Sequence, residues 1–99
     1  MNQKELARRL LEARQAKQWT QRNLSKAAKV TETTISHLEA GAIANPNPRT
    51  LRRLARALDL SYEELSLQAG IIPPAYHRLV ARHPDTVAAH LRTLAGKLT

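Results

Sequence analysis

TQRNLSKAAKVTETTISHLEAG, residues 20–41, spells two short helices and the tight turn between them. Thr20 offers a hydroxyl oxygen to a backbone N–H left without a partner at a helix start, and Leu24 and Ala28 then fall four apart on one face of residues 21–28. Lys29 and Val30 interrupt that stripe. Thr31 supplies a second N-cap oxygen, and residues 32–40 set Ile35 and Leu38 on one side while Glu32, Thr33, Ser36 and His37 point elsewhere. Gly41 suits the position after this helix, because without a Cβ it enters the left-handed region at little cost. The second helix is expected to have a buried back and a polar front.

Working outward, Leu6, Leu10 and Ala13, with Leu11 alongside, predict a first helix from about Asn2 or Gln3 to Lys17. Trp19, the only Trp, reads as an apolar anchor between that helix and the quoted stretch. After Gly41 the run AIANPNP forbids helix, and Asn47 followed by Pro48 is a natural N-cap and first-turn pair for a fourth helix ending before Asp59. Its inward stripe is Leu51, Leu54, Ala55 and Leu58. Ser61 and Glu64 form a capping box for a fifth helix from Tyr62 to about Ala69, closed by Gly70. Residues 1–70 therefore read as one helical domain and 71–99 as a helical C-terminal extension.

The extension opens on the rigid connector Ile71, Ile72, Pro73 and Pro74, leads into a short helix around Ala75 to Arg82, and restarts at Pro84. There Val87, Leu91, Leu94 and Leu98 recur with spacings of four, three and four, flanked by Ala88 and Ala95, which is the seam pattern of nearly parallel helices. Such a seam fits a dimer interface, a surface for a different protein partner, or a helix folded back on the first and fifth helices of its own chain.

Composition narrows the possible chemistry. Ninety-nine residues with 42% apolar content suffice for one core. With no cysteine there is neither a disulfide framework nor a zinc finger, and a reducing cytoplasm is the expected compartment. Charges scattered among the apolar residues of MNQKELARRLLEARQ argue against a signal peptide, and no apolar run is long enough to span a bilayer. The formal net charge is +8, and residues 1–60 carry 12 of the 16 Lys and Arg but only 5 of the 8 acids. That excess is the electrostatic footprint of a phosphate-contacting surface, although a basic face alone also serves solubility.

Gln21, Leu24, Ala28, Val30, Ile35, Ser36, Leu38, Glu39 and Gly41, in order and spacing, resemble the helix-turn-helix of the Cro and phage-repressor type, the XRE family. The resemblance extends over about residues 5–69, since PNPRTLRRLARALDLSYEEL is similar to that family's fourth and fifth helices. It implies an all-α, five-helix, lambda-repressor-like domain that binds double-stranded DNA, a transcriptional regulator of the repressor kind, and a homodimer on a palindromic operator. Glu32, Thr33, Ser36 and His37 are then expected at the bases, with Thr20, Gln21, Arg22, Lys26 and Arg49 at phosphates. Arg14 and Glu39 are expected, by the same resemblance, to form a structural ion pair joining the first and third helices. The chain departs from the family at Lys29, where glycine is usual, and at Ala42, Ile43 and Ala44, where relatives often carry a basic residue.

Other function classes are weighed on the same residues. His37, His77, His83 and His90 offer no pair four apart on one helix, and there is no glycine-rich phosphate loop, so an enzyme, a metal site or a cofactor is not expected. An antitoxin-type autorepressor, whose C-terminal segment binds a partner protein, uses the same two halves of the chain differently. Adhesion to an anionic membrane through the first helix is disfavoured, because its charges do not segregate from its leucines.

Overall fold

The computed structural model describes residues 3–98; Met1, Asn2 and Thr99 lie outside the described residues, and with them the earlier of the two expected helix starts. The chain is all-α: α1 (Gln3–Ala16), α2 (Gln21–Ala28), α3 (Glu32–Glu39), α4 (Pro48–Leu58), α5 (Tyr62–Gln68), a 3-10 turn (Pro74–Tyr76), α6 (His77–Arg82) and α7 (Pro84–Leu98). The expected five-helix unit and helical extension are both present.

Side-chain oxygens mark the starts of four helices. Thr20 accepts from Asn23 N–H at 3.0 Å, Thr31 from Thr34 N–H at 3.1 Å, Asn47 from Arg49 N–H at 2.8 Å and Ser61 from Glu64 N–H at 3.2 Å. Each satisfies a donor that the first helical turn leaves free. The reciprocal half of a capping box forms at Thr20, whose own N–H donates to Asn23 Oδ1 at 3.0 Å. At Ser61 it does not, contrary to expectation: the Glu64 carboxylate turns instead to Arg9, 3.4 Å away on α1. A helix-to-helix charge contact has displaced a local one.

One core joins α1 to α5. Leu6, Leu10, Leu24, Ile35, Leu38, Leu51, Leu54, Leu58 and Leu65 are buried together with Ala28, Val30 and Ala55, and Trp19 packs against them partly buried. Truncating any of the fully buried leucines removes transfer energy and leaves a void, at about 2–5 kcal/mol each. α1 packs on α3 and α5, α4 on α2 and α5, and α2 on α3, so the quoted stretch is held from both sides.

The extension adds nothing to this apolar interior. The connector's Pro73 is buried, and Ser66 donates its hydroxyl hydrogen to the Ile71 carbonyl at 2.7 Å, which fixes where the chain leaves α5. The short helix expected from Ala75 splits, because Pro74 begins a 3-10 turn before regular α geometry sets in at His77. Tyr76 donates a hydrogen bond to Glu63 of α5, and this bond raises the Tyr76 pKa above its ordinary value. α7 packs on α6 and has no buried residue: Leu91, Leu94 and Leu98 are 54%, 44% and 77% exposed. The fold-back of this helix onto α1 and α5 is therefore not adopted.

Candidate nucleic-acid interface

α3 is eight residues long and divided by its own periodicity. Ile35 and Leu38 are 1% and 2% exposed, whereas Glu32, Thr33, Ser36 and His37 are all exposed on the remaining circumference. Thr31 caps its start, and after Ala40 the chain turns away through Gly41 at φ +73. The buried pair anchors the helix from below, so the four polar side chains project from a fixed backbone on one side.

A polar network locks α3 to its neighbours. Arg14 of α1 donates from Nε to Glu39 Oε2 at 2.7 Å and from Nη2 to Glu39 Oε1 at 2.9 Å, while Nη1 donates to the Trp19 carbonyl at 2.8 Å. The Gln21 amide of α2 donates to Glu39 Oε1 at 3.0 Å. Side chains of Arg14 and Glu39 are only 13% and 6% exposed, and the hydrogen bonds to Glu39 raise the Arg14 pKa against the opposing effect of burial. A two-pronged guanidinium-carboxylate pair of this kind fixes direction as well as distance. Gln21, expected at a phosphate, thus has its side-chain amide committed inside the domain; what it can offer an anion is its place at the start of α2. No local sequence signal links Gln21 to Glu39, because the two lie 18 residues apart.

The turn between α2 and α3 places Lys29 in the left-handed region, φ 59 and ψ 46, the conformation glycine would adopt without a Cβ penalty. The Val30 N–H donates to Ser25 O at 3.2 Å, and the Arg53 guanidinium of α4 donates to the Lys29 carbonyl at 3.3 Å. Around this turn the surface is cationic. Arg22 and Lys26 are exposed on α2 and Arg49 at the start of α4, and a cleft of about 430 Å³ between α2 and α4 is lined by Ala27, Ala28, Lys29, Arg49, Arg52, Arg53, Arg56 and Ala57. The residues expected at bases thus lie together on α3. Those expected at phosphates divide between α2 with its cap and the start of α4. The arginine row behind Arg49 was not anticipated, although its spacing of three, four and seven was open to reading.

From Leu10 to Leu65 the sequence matches the helix-turn-helix family. The chain belongs to that family, in its Cro and phage-repressor branch. The match spans α2, the turn at Lys29 and α3. The chain is also similar to RghRB, an uncharacterised HTH-type transcriptional regulator of Bacillus subtilis (strain 168), with 36% identity over 63 residues. That alignment covers 64% of this chain and 45% of RghRB, so the chain spans under half the length of this relative. No solved structure matches it. Among the described residues no group of three or more His, Asp or Glu lies where it could hold a metal ion, and no helix is long and apolar enough to cross a membrane.

Proposed function

We propose that α3 enters the major groove of double-stranded DNA and that the protein represses transcription from a specific operator. The carrying observation is the division of α3: a core-anchored back, and a front of Glu32, Thr33, Ser36 and His37 that the C-terminal extension leaves uncovered. A major groove admits one helix of this width and presents donors and acceptors that those side chains match. Glu32 accepts from a cytosine amino group, Thr33 offers a hydroxyl or its methyl, Ser36 a hydroxyl, and His37 donates or accepts according to tautomer. Thr20, the start of α2 at Gln21, Arg22, Lys26 and Arg49 hold phosphates and set the register. The regulatory role named for RghRB supports the same reading.

A single eight-residue recognition helix reads only a few base pairs, so specificity calls for a second copy on a palindromic operator, with half-sites about one helical turn apart. The exposed leucines of α7 suit that pairing. An antiparallel arrangement centred on Leu91 brings Asp85, near the start of the helix, towards Lys97 of the partner subunit, near its end. Opposite charges and opposed helix dipoles both favour it.

Selection of bound sequences from random duplexes, followed by anisotropy titrations of the selected site, tests the proposal. Glu32→Ala and His37→Ala are expected to change the preferred bases while leaving the unfolding midpoint within a few degrees; unchanged selectivity would refute their roles. Arg22→Ala and Lys26→Ala should weaken all sequences alike, each lowering the salt slope by about one.

A further inference from the structure

The cleft between α2 and α4 plays no part in the contacts assigned above, apart from Arg49. Its volume of about 430 Å³ lies in the range of small-molecule sites. Lys29, at the end of α2, and Arg49, Arg52, Arg53 and Arg56 of α4 line it together with three alanines, and no carboxylate does. Spacings of three, four and seven put the four arginines on one face of α4, where they repel one another. Among the described residues the ion pairs are Arg9 with Glu64, Arg14 with Glu39 and Lys17 with Asp59, none of which touches this cluster.

Two of the arginines are already held in place. The Arg52 guanidinium lies 4.7 Å from the Tyr62 ring centre, and Arg53 donates to the Lys29 carbonyl at 3.3 Å. Five cations that line one concave site without an acidic partner, two of them already oriented, are arranged for an anion of several charges. A single carboxylate would neutralise one of the five; a chain of phosphates meets several at once.

We propose that this cleft binds a small polyanion of the condensed-phosphate class, such as the phosphate chain of a nucleotide. This does not depend on the DNA-binding reading. The test uses the full chain with sodium tripolyphosphate as probe, by titration calorimetry and thermal unfolding, with ionic strength held constant by sodium chloride. Saturable one-to-one binding and a raised midpoint are expected. Arg56→Ala, which removes an exposed side chain without a hydrogen bond among the described residues, should weaken binding about tenfold, the scale of one charge-assisted hydrogen bond. Arg53→Ala should do the same, but it also frees the Lys29 carbonyl, so Arg56→Ala decides. The double variant Arg78→Ala/Arg82→Ala, on exposed α6, removes twice the charge of either single variant elsewhere and should leave affinity unchanged. A midpoint shift no larger than with chloride, equal weakening in the α6 variant, or full affinity in Arg56→Ala would each overturn the proposal. Loss of duplex binding alone in the cleft variants would also overturn it, by assigning these arginines to the DNA backbone.

Discussion

Removing the Glu39 carboxylate would strand the Arg14 guanidinium in a site where its side chain is only 13% exposed. Breaking a buried pair in this way costs about 3–5 kcal/mol, and at about 4–8 °C per kcal/mol for a domain of this size Glu39→Ala should lower the unfolding midpoint by at least about 12 °C. Calorimetry on Glu39→Ala, and on the double variant Arg14→Met/Glu39→Leu, checks this; most of the loss should return in the double variant. The sign with pH follows from the raised Arg14 pKa. The pair's contribution is complete below the ordinary arginine value and fades only as pH climbs through the raised one, so loss of the Arg14 proton does not weaken the domain near neutrality. Lys29 presents the opposite case. Its left-handed backbone costs about 1–2 kcal/mol, and glycine there gives back part of the gain through a freer unfolded chain. Lys29→Gly should therefore stabilise by about 0.5–1 kcal/mol, measurable by urea unfolding.

At the scale of the element, α3 depends on its first turn. Eight residues are too few to be helical in isolation, so α3 exists because Ile35 and Leu38 are buried and Thr31 caps its first free N–H groups. Thr31→Ala should destabilise the domain by about 1 kcal/mol. If α3 reads DNA, operator affinity should fall further than the stability loss explains, because the frayed end carries Glu32 and Thr33. Parallel unfolding and anisotropy measurements separate the two effects. α4 illustrates a division of labour within one helix: Leu51, Leu54, Ala55 and Leu58 face the core, leaving Arg49, Arg52, Arg53 and Arg56 on the opposite side.

For the whole molecule, 44 × 28 × 22 Å across, burial of the apolar core ends at Leu65. A chain stopped after Pro73 keeps every core residue and the Ser66 to Ile71 bond. It should unfold cooperatively within a few degrees of the full chain. If α7 mediates the homodimer, the shortened chain should be monomeric by sedimentation, and Leu91→Glu should have the same effect in the 99-residue chain with no change in the core. A full chain that is monomeric at every concentration would remove the homodimer and leave the α7 leucines to a different protein.

The helices of residues 20–70 were legible from the amino-acid order because each is delimited by local chemistry: Thr20, Thr31, Asn47 and Ser61 at the starts, Gly41 and Gly70 beyond the ends. The polar front of α3 followed from helical period alone, and the Arg14 to Glu39 pair came from family resemblance. What order alone did not decide was which distant side chains meet. Glu64 reaches Arg9 rather than its own cap, Gln21 turns inward to Glu39, and Arg53 settles on the Lys29 carbonyl, because packing of α1, α2, α4 and α5 brings those groups within bonding distance. The leucines of α7 read equally well as inward or outward. Their exposure was settled only in three dimensions, where the core of α1 to α5 closes at Leu65 and the helix leans on α6.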